Sequence, residues 1–151
     1  CLTRQTLVDH HVIAALFAAD RLDHILKTGG LRDSLEDDIF VLCDRYYLSS
    51  YAYQSLDINL NWIMDINSVS MDLLKPDCHI FIDVTPETAM QRLNKRKSLE
   101  IYEELEKLTK IHTNYHNIIK KLEDIENIVI IDGNKNTKSV TEDIWAVIER
   151  M

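Results

Sequence analysis

Ile39-Phe40-Val41-Leu42-Cys43 sets five apolar side chains in a row and is followed at once by Asp44-Arg45. A run this short, with no polar alternation, is too brief for a helix and predicts a strand covered on both faces, the setting of parallel strands in α/β proteins. Such a strand demands a layered fold. Asp44 and Arg45 then fall at its carboxyl end, which in open parallel sheets faces the ligand crevice. There a carboxylate suited to magnesium stands beside a guanidinium suited to bidentate phosphate contact. On position alone, a surface ion pair at a strand end accounts for the two residues equally well.

The rest of the chain supplies the other layers. From Val8 to Leu26 apolar residues recur at helical spacing, at Val12, Ile13, Leu16, Phe17, Ala19, Leu22, Ile25 and Leu26, predicting a mostly buried helix stopped by Gly29-Gly30. Ser49 or Ser50 can cap a second helix toward Ser55, and 58–74 is helical around Trp62, Ile63, Ile66 and Met71 until Pro76 breaks it. His79-Ile80-Phe81-Ile82-Asp83-Val84 reads as a second buried strand, after which Thr85 caps a helix with Pro86 in its first position. That helix carries Arg92, Lys95, Arg96 and Lys97. A helix over about 99–122 leads to a third strand, Ile128-Val129-Ile130-Ile131, closed by Asp132-Gly133-Asn134. The last helix, roughly 139–150, keeps Val140, Ile144, Val147 and Ile148 on one face. Strands alternating with helices predict an α/β fold with helices on both faces of a parallel sheet.

The 151 residues, 46% of them hydrophobic, suit a single domain with one buried core. No apolar run reaches the roughly 18 residues of a membrane span. Cys1-Leu2-Thr3-Arg4 has neither a basic n-region nor an apolar h-region, so a soluble, cytoplasmic protein with no membrane partner is expected. Seventeen Lys and Arg against 25 Asp and Glu give a net charge of −8, which disfavours nonspecific attraction to nucleic acid. A phosphorylated substrate then needs a local cluster of cations. Cys1, Cys43 and Cys78 show no C-x-x-C spacing and read as reduced packing residues.

Four segments then occur in a specific order: Leu16-Phe17-Ala18-Ala19-Asp20-Arg21; Asp44-Arg45-Tyr46 with Ser49-Ser50 and Ala52-Tyr53-Gln54; Leu74-Lys75-Pro76-Asp77; and Asp83-Val84-Thr85-Pro86-Glu87. Together they resemble the thymidylate kinases of the P-loop nucleoside monophosphate kinase family, from about Leu16 to the C-terminus. The discriminating part is D-R-Y with S-S-x-A-Y-Q, because related nucleoside kinases more usually carry E-R-S at that strand end. The resemblance implies a three-layer α/β/α P-loop kinase fold and transfer of the γ-phosphoryl of ATP to dTMP, giving dTDP. It also implies a magnesium cofactor and a homodimer.

The resemblance assigns roles to particular residues as well. Phe17 and Arg21 would hold and read the thymine; one turn apart on the buried face of the first helix, a ring can stack on a base while the guanidinium donates to its carbonyl. Taken alone, Phe17 is an ordinary core residue. Arg45 would contact the monophosphate, and Asp44 would order magnesium, directly or through water. Ser49 and Ser50 would line the substrate site, Ser50 near the pyrimidine edge. Tyr53 would pack where a ribose 2′-hydroxyl would sit, with Gln54 in the same pocket. Tyr46, Tyr47 and Tyr51 serve equally well as packing.

Residues 92–103 resemble the family's mobile lid, where arginines on a closing segment bring positive charge to the migrating phosphoryl and exclude water. A solvated basic helix face is the alternative. Arg92 and Arg96 match lid positions, but Glu100-Ile101-Tyr102-Glu103 stands where members often show D-R-x-E, leaving Lys95 or Lys97 as substitute cations. No G-x-x-x-x-G-K-[ST] occurs. Cys1-Leu2-Thr3-Arg4 resembles the family's second strand and its T-R-E-P, which would place the first strand, P-loop and first helix before Cys1 and Arg4 on the phosphate side. Two rivals stay open: another nucleoside or nucleoside monophosphate kinase, and a non-catalytic nucleotide-binding homologue. Elsewhere, His112 and His116 lie one helical turn apart with no third metal ligand at suitable spacing. His10, His11 and His24 read as helix-surface residues, and Asp83 and Asp132 as strand-end caps.

Overall fold

A computed structural model of the chain describes residues 8–93 and 98–151, with 98–104 as backbone only. They gather into two compact units, divided between Lys75 and Pro76.

The first unit is helical, with α1 (His10–Leu26), α2 (Leu31–Glu36), α3 (Tyr47–Gln54) and α4 (Leu60–Leu73). Asp9 caps α1, its carboxylate accepting from the His11 amide at 2.8 Å. Beyond α1 the backbone turns through Gly29 at φ +69°. Gly30 then lies so close to the turn that a Cβ would stand 2.6 Å from the His24 carbonyl oxygen and 2.7 Å from that of Lys27. The glycine pair is thus a steric requirement. α2 follows at once; with six residues it is too short for apolar periodicity to register. α3 starts at Tyr47, so Ser49 and Ser50 lie inside the helix rather than capping it. Asn59 caps α4, its Oδ1 accepting from the Asn61 amide at 2.9 Å.

Ile25 of α1, Tyr47 and Tyr51 of α3, and Ile63 of α4 are fully buried and form the core of this unit. The rings of Tyr46, Tyr47 and Tyr51 follow one another with centroids 4.8 and 5.5 Å apart. The buried face of α1 is narrower than its periodicity predicts. Only Ala14, Ala18 and Ile25 are buried on it.

The 39–43 run also departs from expectation, since it forms no strand and leaves Phe40 and Leu42 exposed, at 64% and 77%. A strand exists only through its neighbour's hydrogen bonds, and among the described residues the first unit contains no other strand to supply them.

The second unit carries the sheet. β1 (His79–Asp83) pairs in parallel with β2 (Ile128–Asp132), from His79 opposite Ile128 to Asp83 opposite Asp132. Parallel neighbours require a crossover, and α5 (Pro86–Leu93) and α6 (Ser98–Leu122) provide it. Thr85 caps α5 as expected, accepting from the Thr88 amide at 3.3 Å. α7 (Thr137–Ile148) begins earlier than its apolar pattern because Asn136 caps it, accepting from the Ser139 amide at 3.0 Å. Between strand ends, the Gly133 amide donates to the Asp83 carbonyl at 2.7 Å.

Candidate active site

Three helices of the first unit converge on one cation. Arg21 of α1 donates through Nη1 to Asn67 Oδ1 on α4 and through Nη2 to Ser50 Oγ on α3, the latter at 2.9 Å. Asn67 is 1% exposed, and its own Nδ2 donates to the Ile63 carbonyl at 2.7 Å, which fixes the amide that Arg21 meets. The guanidinium also lies over the Tyr46 ring, with Cζ 5.5 Å from the centroid. Burial lowers the Arg21 pKa, and the nearby Tyr46 and Tyr51 oppose that shift. Tyr46 in turn reaches the Leu74 carbonyl at 3.0 Å and the Ser70 carbonyl at 3.3 Å. Burial pushes its phenol up to about 12, against the pull of Arg21.

Phe17 stands one turn before Arg21 on α1 and is 49% exposed, not buried as the helical spacing suggests. The narrow Ala14, Ala18, Ile25 face takes the packing and leaves this ring open one helical turn from Arg21. Asp44 and Arg45 are both exposed. Arg45 holds φ +69°, a left-handed backbone that non-glycine residues rarely adopt, and its guanidinium lies over the Tyr53 ring with Cζ 5.2 Å from the centroid. Ser49, on the first turn of α3, is half-buried, and at the helix's other end the Oε1 of half-buried Gln54 is buried without a donor among the described residues. The structure therefore brings Arg21 to Ser50, and Arg45 to Tyr53.

In the second unit, exposed Arg92 ends α5 and donates from Nη2 to the carbonyls of Asn134 and Lys135 at 3.3 and 3.1 Å. It ties α5 to the loop that follows β2. Arg4 and Arg96 lie outside the described residues, as do Lys95 and Lys97. Tyr46 belongs to the D-R-Y motif but nothing in it points to Arg21, and Asn67 carries no motif at all. The one available signal is a polar residue at the buried helical spacing of Ile63 and Ser70. Likewise Asp83 turns out to be the third group beside His112 and His116. For magnesium, the exposed Asp44 carboxylate fits an ion that keeps most of its waters and takes one carboxylate together with substrate phosphates. No helix among the described residues is long and apolar enough to cross a membrane.

With a helical first unit and a parallel βαβ second unit, this is a mixed α/β protein. The thymidylate kinase family model matches residues 1–144. A "Probable thymidylate kinase" of Pyrobaculum calidifontis is 34% identical over 143 residues, covering 94% of this chain and 69% of the relative. Proteins of the same description from Thermococcus kodakarensis and Methanococcus aeolicus are 32% and 37% identical, covering 95% and 87% of this chain and 67% and 66% of their own length. The chain thus spans about two thirds of the length of these relatives. It belongs to the thymidylate kinase family, ATP-dependent transferases of nucleotide biosynthesis that phosphorylate dTMP and share the P-loop kinase fold.

Proposed function

We propose that this chain phosphorylates dTMP by holding the acceptor on α1 and α3. Phe17 stacks on the thymine, Arg21 donates to a base carbonyl, and Arg45 takes the monophosphate. Ser49, Ser50 and Gln54 line the pocket, and Tyr53 excludes a 2′-hydroxyl. One observation carries this assignment: Arg21 is clamped by Asn67 and Ser50 one helical turn from the half-open Phe17. A guanidinium with two donors already engaged presents its remaining edge in one orientation, as reading a base requires. The clamp turns a flexible cation into a template.

The reaction needs positioning and charge neutralisation rather than a covalent intermediate. Asp44 would hold magnesium, directly or through water, and the ion would neutralise charge at the phosphates. Arg45 orients the acceptor phosphate, and its stacking on Tyr53 limits the guanidinium's freedom before substrate arrives. Arg92 and Arg96 of the lid-like 92–103 segment, and Arg4 on the phosphate side, supply further positive charge. The acceptor side of the reaction is carried by Phe17, Arg21, Arg45, Ser49, Ser50, Tyr53 and Gln54. The family fold implies three layers around the parallel sheet, with a cytoplasmic homodimer as the working form.

Calorimetric titration of the full chain with dTMP, dCMP and AMP tests the assignment. Expected is a dTMP affinity at least about tenfold above the others, a difference near 1.4 kcal/mol, that collapses in Arg21→Ala. Equal affinities across the panel, or discrimination that survives Arg21→Ala, would remove thymine reading from this site.

A further inference from the structure

In the second unit, Asp83 at the end of β1 meets two histidines from one face of α6. His112 Nε2 lies 2.7 Å from Asp83 Oδ1, and His116 Nε2 lies 3.2 Å from Asp83 Oδ2. Spacing of one helical turn places both imidazoles on the same side, with ring centroids 4.7 Å apart. The three ligand atoms all lie within 4.8 Å of one another. We propose that Asp83, His112 and His116 form a binding site for a zinc-like divalent transition metal, separate from the acceptor site.

The geometry is close to what such an ion needs. Metal bonds of about 2.0–2.1 Å to nitrogen and oxygen in a tetrahedral arrangement set ligand atoms roughly 3.3 Å apart. The 3.2 Å from His116 Nε2 to Asp83 Oδ2 is near this value, whereas the 2.7 Å from His112 Nε2 to Asp83 Oδ1 is a hydrogen-bond length that side-chain rotation must open by roughly half an ångström to admit the ion. Each imidazole then offers its Nε2 lone pair and keeps its proton on Nδ1. Two nitrogens and a carboxylate suit zinc, nickel or copper, whereas magnesium and calcium prefer an all-oxygen shell. Three protein ligands leave a fourth position for water.

The surroundings support entry on one side and rigidity on the other. Side-chain exposures of 26% for Asp83, 27% for His112 and 40% for His116 leave a path from solvent. On the inner side Phe81 stacks on Tyr115 at 4.8 Å and sets its ring edge-on to His116 at 5.8 Å, which restrains that imidazole. His112 and Tyr115 also border an apolar cleft lined by Phe81, Val84, Pro86 and Ile111. Asp83 is held at its backbone by the Gly133 amide, so its carboxylate is presented from a fixed strand end. Ligands carried on a helix and a strand end are better preorganised than ligands on loops.

The test is calorimetric titration of the full chain with zinc chloride, joined by absorption spectroscopy of the cobalt-substituted protein. Cys43→Ser/Cys78→Ser serves as a background that removes the thiols at those two positions. Expected in that background is one zinc ion per chain and a cobalt ligand-field spectrum of tetrahedral intensity. Affinity should drop at least about tenfold in His112→Gln and again in His116→Gln, each with an unchanged circular dichroism spectrum. His24→Gln, remote in sequence from the cluster, should bind as the background does. Zinc affinity within threefold of the background in both α6 variants, or a cobalt spectrum they leave unchanged, would overturn the site. Asp83→Asn gives a second check, because it keeps a hydrogen-bonding partner for the histidines while removing the anionic ligand. Unaltered zinc binding there would likewise overturn it.

Discussion

Arg21 Nη2 donates to Ser50 Oγ at 2.9 Å across 29 residues of sequence, joining α1 to α3 through the residue proposed to read the base. Ser50 is 5% exposed, so this hydroxyl has little access to water as a substitute partner. Ser50→Ala therefore leaves a part-buried guanidinium N–H unmatched, at a cost of about 1–3 kcal/mol in stability. dTMP affinity should fall roughly tenfold as the guanidinium gains freedom. Asn67→Ala should act in the same direction, and the double variant should lose less than the sum, because both changes release the same cation. Urea unfolding and dTMP titration of the three variants measure this. Additive losses would show that the two contacts do not act through Arg21.

Arg45 combines a functional side chain with an unfavourable backbone. Left-handed geometry costs a non-glycine residue about 1–2 kcal/mol, and φ here is +69°. Glycine at this position removes the strain but also the guanidinium. Arg45→Gly should hold stability level or raise it by up to about 1 kcal/mol while weakening dTMP binding about as severely as Arg45→Ala. Paired thermal unfolding and dTMP titration separate the two effects. A glycine variant markedly less stable than wild type would place the value of Arg45 in packing rather than in substrate contact.

How much of this was legible in the sequence differs sharply between the two units. In the second, the runs at 79–84 and 128–131 became β1 and β2, and Thr85-Pro86 opened α5, because strand and cap signals there are local. In the first, the longer unbroken apolar run at 39–43 formed no strand, since pairing depends on a neighbour that the run itself cannot specify. Phe17 followed helical spacing yet stayed half open, because periodicity marks an apolar stripe without saying how much of it a partner covers. The proposed acceptor residues were readable as a motif, but the Asn67 clamp and the approach of Asp83 to His112 and His116 were not. Those are contacts over 46 and 29 residues of sequence, set by how helices pack.

Tyr46 predicts the alkaline behaviour of the first unit. Its folded pKa of about 12 lies above the ordinary phenol value of 10.0, chiefly through burial. The neutral form is thus favoured by folding, so this contribution is whole below pH 10 and is lost as pH rises from 10 through 12. Tyr46→Phe cannot ionise. It should lose about 1 kcal/mol at neutral pH with the hydrogen bonds to Leu74 and Ser70, and show a shallower fall in stability over the alkaline interval. Denaturant midpoints recorded across that interval provide the comparison. Parallel curves for the two proteins would mean that Tyr46 does not couple ionisation to unfolding.

Gly133 sets the limit on how closely β1 and β2 can end together. A Cβ at this position would stand 2.5 Å from a Val84 methyl, 2.6 Å from an Ile82 methyl and 3.0 Å from the Asp83 carbonyl oxygen. Valine and isoleucine are stiff at χ1, so these methyls cannot simply rotate away, and the backbone must shift instead. Gly133→Ala should therefore destabilise the protein by about 1–3 kcal/mol, the ordinary cost of overpacking, although the φ here does not demand glycine. The same shift would disturb the 2.7 Å bond from the Gly133 amide to the Asp83 carbonyl and, through Asp83, the two histidines it meets. Zinc affinity should drop along with stability, whereas Val84→Ala in the alanine variant should recover part of both by clearing one of the two methyls. Thermal unfolding and zinc titration of the single and double variants read this out, and a fully stable Gly133→Ala protein would show that the strand ends have room the close approach denies.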